Sequence, residues 1–179
     1  MAVLPLHLLG SPVLRQRSAA VGRVDDETRR FIDELFETMD ANKGVGLAAN
    51  QVGVARRVAV VEAEGKRIAL VDPEITGTSG PKEAEEEGCL SIPEIFADVT
   101  RPANVTVKAL DRDGKEFTLD ATGLLARAIQ HEVDHLDGIL FIDHVGPMKR
   151  TLLLRKYKRE NPDAGNVQKA PTEPAQAEK

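Results

Sequence analysis

The chain has 179 residues, a length typical of one domain with a full hydrophobic core. Its formal net charge of −5 gives no overall basic surface for binding DNA, and its single cysteine excludes an intramolecular disulfide. No apolar run approaches the roughly 20 residues that cross a membrane, and the first residues lack the features of a secretory signal peptide. We therefore expect a soluble, cytoplasmic protein that binds neither DNA nor membranes.

The first half of the chain predicts one helix followed by a β-hairpin. Acidic residues 25–27 open a segment in which apolar residues recur every three or four positions, which is typical of an amphipathic helix over 25–41. Residues 57–63 and 67–71 have the composition of strands, and the Glu-Gly-Lys sequence between them indicates a hairpin. Residues 74–82 are rich in Gly, Thr, Ser and Pro and predict a loop.

The second half predicts a further pair of strands and a basic helix. The acidic run 83–87 is expected on a solvated face. Alternating apolar residues predict a strand within 98–110, and 115–119 follows a turn as its hairpin partner. A last helix begins at Pro147, with leucines on one side and many lysines and arginines elsewhere.

Between these elements lies the helix that is expected to carry the chemistry. Residues 123–136 contain His131 and His135, four positions apart and therefore on one helix face, with Glu132 beside the first. These polar residues lie on or at the edge of the apolar face, where an unpaired polar group costs roughly 2–7 kcal/mol. Metal coordination would remove that cost. The alternative is a chance H-E-x-x-H match on a solvated helix.

Two histidines leave a catalytic metal site one protein ligand short, since such sites usually have three ligands and a water. A metzincin would carry a histidine six residues after the second one, where this chain has Phe141. Asp137, Asp143 and His144 follow the second histidine, but Cys89 is the better third ligand because its thiolate is a soft donor. A buried, inert cysteine is the more common role for a free thiol.

Three short segments resemble the motifs of the peptide deformylase family, in the same order and with similar spacing. Residues 44–51 (GVGLAANQ) resemble G-x-G-L-A-A-x-Q, residues 87–91 match E-G-C-L-S, and residues 130–138 (QHEVDHLDG) resemble Q-H-E-x-D-H-L-x-G. Three motifs in order are highly specific, and the resemblance runs from about Leu4 to Arg159. Phe96 stands where some members carry an arginine.

The resemblance implies a metal centre and a general base. Cys89, His131 and His135 would hold one divalent ion, with Fe²⁺ implied as the native metal and Ni²⁺, Co²⁺ or Zn²⁺ as substitutes. Glu132 would take a proton from water and deliver it to the leaving amine. Oxygen could attack both iron and the thiolate, which would make the activity labile in air.

The resemblance also implies how the substrate is held. The side-chain amide of Gln51 and the backbone N–H of Leu90 would donate to the oxyanion, and Gly46 would bond to the substrate backbone. The methionine side chain needs an apolar pocket. The candidates for that pocket are Val45, Leu124 and Ala128, because these residues flank the ligands in sequence or on the helix face.

The implied reaction removes the formyl group, as formate, from the N-terminal formylmethionine of newly synthesised proteins. The partners would be N-formylmethionyl nascent peptides, and the basic last helix could contact ribosomal RNA, although a packed helix with solvated lysines explains the same charges. We expect a monomer. The competing hypotheses are an H-E-x-x-H peptidase that cuts internal bonds and a metal-stabilised binding module without catalysis.

We predict an α+β fold for this chain. Antiparallel or mixed β-sheets over 57–119 pack around the central helix 123–136, with the 25–41 helix and a C-terminal helix outside. Residues 1–161 would form a single catalytic domain. Residues 162–179 have almost nothing to bury and predict a disordered polar tail.

Overall fold

The computed structural model describes residues 2–163 and 165–168, and it has the predicted α+β architecture. The helices are α1 (Asp26–Ala41), α2 (Gly123–Leu136) and α3 (Pro147–Glu160). The strands are β1 (Leu6–His7), β2 (Gly46–Ala48), β3 (Val58–Ala63), β4 (Lys66–Cys89), β5 (Ile92–Leu110), β6 (Glu116–Ala121) and β7 (Val167–Gln168). The strands β2 to β6 form one antiparallel sheet in sequence order, and β1 pairs with β7.

The helices α1 and α2 begin and end within one residue of their predicted bounds, and α3 begins at Pro147 as predicted. The Asp25 carboxylate caps α1 by accepting from the Thr28 N–H at 2.8 Å. At the start of α2, Leu124 donates its N–H to Glu64 at 3.2 Å, and Gly138 follows the helix with a φ of 77°. Within the described residues, every helix is too short or too polar to cross a membrane.

The hairpin between β3 and β4 is confirmed, but the predicted loop after it is wrong. The hairpin turns at Glu64 and Gly65, with φ values of 53° and 76°. The strand β4 then continues through residues 74–82, because pairing with β5 satisfies its backbone groups despite the turn-forming composition. The pairing of β4 with β5 changes register at several points. One of these changes lies between Ser79 and Lys82 and accommodates the intervening Gly and Pro.

The helices α1 and α2 cover opposite faces of the sheet. Alternation along β3 directs Val60 into a cluster with α1 and Val61 into a cluster with α2. All the residues from 125 to 130 are buried, so α2 is enclosed around most of its circumference. The basic helix α3 is largely exposed and packs through Tyr157 and its neighbouring leucines. The structure therefore confirms a central helix that lies against the sheet.

The C-terminal segment departs from the predicted disordered tail in one place. The strand β7, Val167–Gln168, pairs with β1 near the N-terminus, and Leu8 donates its N–H to the Asn166 carbonyl at 2.7 Å. The rest of the prediction for 162–179 falls largely on 169–179, which lie outside the described residues.

Candidate metal centre

The helix α2 and the end of β4 bring together three side chains that could hold a metal ion. The donor atoms of Cys89, His131 and His135 all lie within 4.8 Å of one another. The Cys89 Sγ is 3.2 Å from the His135 Nε2, which is 3.1 Å from the His131 Nε2. These separations allow all three atoms to bind one ion at bond lengths of about 2.0–2.3 Å.

The Glu132 carboxyl lies beside this cluster and is buried. Its Oε1 is 3.8 Å from the His131 Nε2, and its Oε2 has no hydrogen-bond partner among the described residues. A buried carboxylate oxygen needs a partner, and a water next to a bound ion would supply one. Burial raises the pKa of Glu132 to about 7. The donor set and this orphaned oxygen fit a divalent ion with a water beside it.

Glu87 orients the His131 ring through the Nδ1, the ring nitrogen that does not face Cys89 and His135. Its Oε1 accepts a hydrogen bond from the His131 Nδ1 at 2.9 Å, which leaves the Nε2 lone pair facing the other two ligands. Glu87 is buried, so its prediction as part of a solvated acidic run is wrong. The available signal was its position in the E-G-C-L-S motif, two residues before Cys89.

Two buried arginines hold the Glu87 carboxylate. The Arg101 Nε and the Arg127 Nη1 each donate to its Oε2 at 2.6 Å. Burial alone would raise the pKa of Glu87, but hydrogen bonds from His131 and Arg101 lower it to about 2. Arg101 also donates to Asp134 at 2.9 Å, which extends the network to the surface of α2. Arg127 stands within an apolar stretch of the helix sequence, which is a second hint of this network in the sequence.

Gln51 is held with its amide nitrogen toward the metal ligands. Its Oε1 accepts from the Ala48 N–H at 2.9 Å, and its Nε2 lies 3.1 Å from the Ser91 Oγ and 3.6 Å from the Cys89 Sγ. Gln51 is buried, and these contacts satisfy its side-chain amide. Leu90 follows Cys89 in the turn between β4 and β5.

Gly46 lies in direct contact with the proposed base. It belongs to β2, an edge strand of the sheet, so one side of its backbone has no strand neighbour within the five-stranded sheet. A Cβ atom at this position would lie 2.9 Å from the Glu132 Cγ, closer than real Cβ contacts allow. Only glycine permits this approach of the strand to the carboxyl group.

These residues border a cleft of about 540 Å³. The three residues that the sequence suggests for an apolar pocket all line it: Val45 and Leu124 are about half exposed, and Ala128 is nearly buried. The ligands Cys89 and His131 also face the cleft. Ile95 and Phe96 line it as well, although sequence reasoning did not assign them to a pocket.

The sequence matches the family described as polypeptide deformylase over residues 3–151. The peptide deformylase of Agrobacterium fabrum is 46% identical over 164 residues, which cover 89% of this chain and 96% of that protein. That of Chromohalobacter salexigens is 48% identical over 151 residues, which cover 83% of this chain and 89% of that protein.

Solved structures give the same result for the fold. The peptide deformylase of Synechococcus elongatus, in complex with actinonin, matches with a TM-score of 0.82 at 45% identity, covering 86% of this chain and 85% of that one. The actinonin complex from Ehrlichia chaffeensis matches with a TM-score of 0.85 at 38% identity, covering 89% of this chain and 98% of that one.

Proposed function

The chain belongs to the polypeptide deformylase family, and we propose that its Cys89–His131–His135 centre performs the family reaction. The activity is hydrolysis of the N-formyl group, released as formate, from the N-terminal formylmethionine of newly synthesised proteins. The observation that carries the assignment to this centre is the convergence of the three donor atoms next to the buried Glu132 carboxyl.

Binding begins at the edge strand. The free side of β2 at Gly46 offers backbone groups to an extended peptide, which supports pairing with the substrate main chain. The methionine side chain would enter the apolar part of the cleft beside Val45, Leu124 and Ala128, all of which line it. This arrangement directs the formyl group toward the metal ligands.

Two donors would stabilise the negative charge that develops on the formyl oxygen. The Gln51 Nε2 already points toward Cys89, and the Leu90 backbone N–H follows in the next residue. Donors that are oriented before the reaction need no reorganisation during it, and each is worth roughly 2.7–4 kcal/mol in comparable sites.

Glu132 would act as the proton carrier. Its buried carboxylate takes a proton from the attacking water and returns it to the amine as the carbon–nitrogen bond of the formamide breaks. The products are formate and a free N-terminal amine. Cys89, His131 and His135 would hold a divalent ion, which would supply the Lewis acidity that makes water a nucleophile near neutral pH.

Ferrous iron is the ion we propose in the cell, with nickel, cobalt or zinc as substitutes. One thiolate and two imidazoles accept all of these ions, so the identity rests on the family and not on the donor set. Glu87 would keep the His131 Nε2 free for whichever ion binds. Metal analysis of protein purified without oxygen tests this assignment.

We further propose that the enzyme acts as a cytoplasmic monomer that meets nascent chains at the ribosome. Support comes from the basic residues along α3. Tyr157 is the only buried residue of this helix, and exposed lysines and arginines attract RNA phosphates. Pelleting with ribosomes at several salt concentrations tests the contact. Absence of co-sedimentation at low salt would reject it. The exposed basic residues of α3 are Lys149, Arg155, Lys156, Lys158 and Arg159, and Arg150 is partly buried beside Asp143.

The central test is formate release from formyl-Met-Ala-Ser by anaerobically purified protein, with the metal quantified in the same sample. Formate at about one metal ion per chain, with the peptide otherwise intact by mass spectrometry, supports the proposal and rejects an internal peptidase. Bound metal without formate rejects it. A sample that lacks metal is first reconstituted with ferrous or nickel ion.

A further inference from the structure

The C-terminal strand β7 lies at the rim of the cleft. It pairs antiparallel with β1, with Leu6 opposite Gln168 and His7 opposite Val167. Both Leu6 and Gln168 line the same cleft as the metal ligands. A segment that follows the last helix therefore returns to the cleft and forms part of its wall.

Three contacts hold this segment in place. The Leu8 N–H donates to the Asn166 carbonyl at 2.7 Å, and Gly10 approaches Asn166 so closely that a Cβ would lie 3.1 Å from its Oδ1. Upstream, the Asn161 Nδ2 donates to the Pro93 carbonyl at 3.1 Å, and Pro93 itself lines the cleft. The chain is thus anchored to the cleft rim both before and at β7.

The two residues of β7 differ in what they face. Gln168 lines the cleft and is exposed, whereas Val167, its neighbour in the strand, does not line it. Successive side chains of a strand point in opposite directions, which accounts for this difference. A carboxamide has both donors and an acceptor, so it can bond to a peptide backbone whatever the side chains of that peptide are.

We propose that Gln168 is a specificity-determining residue that binds the backbone of the formylated peptide beyond its first residue. This inference rests on the proposed function of the centre. Formyl-Met with one further residue would bind in the inner cleft alone, whereas longer peptides would also contact Gln168. Affinity would therefore increase with peptide length without depending on sequence, which suits an enzyme that meets many different nascent chains.

The test compares the variant Gln168→Ala with the matched control Val167→Ala, using formyl-Met-Ala and formyl-Met-Ala-Ser-Lys-Ala. For Gln168→Ala we expect KM for the longer peptide to rise about two- to tenfold, the size of one hydrogen bond, with kcat and both constants for the shorter peptide unchanged. The control should match the unaltered protein on both peptides. An equal change on both peptides, or no change on the longer one, overturns the proposal.

Two truncations extend the test to the whole strand. Removal of residues 169–179 should leave KM for the longer peptide unchanged, whereas removal of 165–179 should raise it at least as much as Gln168→Ala. A lower KM for the longer peptide after the larger truncation would show that residues 165–179 hinder peptide binding, and it would overturn the proposal.

A direct binding measurement separates this inference from the proposed function. Calorimetry with the product peptides Met-Ala and Met-Ala-Ser-Lys-Ala gives the same length comparison without turnover. Loss of the length effect in Gln168→Ala supports the inference even if no formate is released, and such a result would count against the proposed reaction alone. Identical affinities in variant and unaltered protein overturn the inference.

Discussion

The Glu87 carboxylate accepts a hydrogen bond from the His131 Nδ1 at 2.9 Å while two buried arginines hold its other lone pairs. A metal-binding imidazole needs its second nitrogen fixed in this way, because the partner selects the tautomer and the ring orientation. A charged acid is retained in the interior because three partners satisfy it, and removal of any one partner would leave part of the buried charge uncompensated.

Replacement of Glu87 by Gln should weaken metal binding. Loss of the charge makes the carbonyl oxygen a poorer acceptor for the His131 N–H, and losses of 10–100-fold in metal affinity are typical for such partners. Competition with a chelator measures the affinity. The control is Glu83→Gln, an exposed acid of the same run, which should bind metal normally. Equal affinity in both variants would contradict the orienting role.

Replacement of Glu132 by Gln should strongly reduce turnover and leave the metal in place. An amide cannot take a proton from water, and loss of a general base lowers kcat by about 10²–10⁴-fold. Glu132 is not one of the three clustered ligands, so the metal content should stay near one ion per chain. Formate release and metal analysis on the same sample check both. Undiminished turnover would remove Glu132 from the mechanism.

Replacement of Gly46 by Ala should reduce kcat by displacing the base. The new Cβ would lie 2.9 Å from the Glu132 Cγ and 3.0 Å from its Cδ, so the carboxyl group must move. Displacements of about 1 Å at a reacting group cost roughly 100-fold in rate. The matched control is Gly77→Ala, which meets no atom within 4 Å and should be fully active. Similar kinetics for the two variants would contradict the close contact as a determinant of activity.

Replacement of Leu124 by Ala should impair recognition of methionine. The side chain lines the cleft and is about half exposed, so its truncation removes apolar contact without opening the core. We expect kcat/KM for formyl-Met-Ala-Ser to fall roughly three- to tenfold, mostly through KM. A closed pocket discriminates by about 10-fold or more per buried methylene, and the loss is smaller here because Leu124 is half exposed. Formyl-Gly-Ala-Ser should be affected less. Equal losses on both peptides would place Leu124 outside the methionine pocket.

The lowered pKa of Asp143 should make the free energy of unfolding depend on pH. Burial alone would raise the pKa of Asp143, but hydrogen bonds from Arg15 and the Leu140 N–H lower it below its ordinary value of 3.8. The folded state therefore binds this proton less readily than the unfolded state. The stabilisation that the ionised Asp143 carboxylate gives the folded state is fully present above its pKa in the unfolded chain, about 4. It is lost as the pH falls through the pKa of Asp143 in the folded protein.

Urea unfolding of metal-free protein between about pH 3 and pH 6 measures this effect. The stability difference between the unaltered protein and Asp143→Asn should be largest near pH 6 and should shrink below about pH 4. Arg15→Met should weaken the same dependence, because it removes the main donor. Parallel pH curves for all three proteins would contradict the assignment.

The helices and the convergence of the two histidines follow from the sequence by itself. Their signals are local: an acid at the N-terminus of α1, a period of three to four apolar residues, and two histidines one turn apart on α2. A helix makes its hydrogen bonds within one segment, so neighbouring residues determine where it begins and which side chains share a face. The spacing of His131 and His135 was therefore sufficient to predict that they converge.

Cys89 and the long strand β4 required contacts between distant segments. Cys89 reaches His135 from 46 positions away, and sequence reasoning could only prefer it as the third ligand. The predicted loop at 74–82 became part of β4 because β5 supplies its backbone partners, and a strand has no hydrogen bonds of its own without a neighbour.

The charge network and the C-terminal strand were likewise decided by tertiary structure. Glu87 belongs to an acidic run that is typical of a solvated surface, and only the approach of Arg101, Arg127 and His131 makes its burial favourable. The strand β7 has too few apolar residues to be predicted, and it forms because β1 offers an unpaired edge beside the cleft. Local sequence encodes which groups are available, whereas long-range packing determines which of them meet.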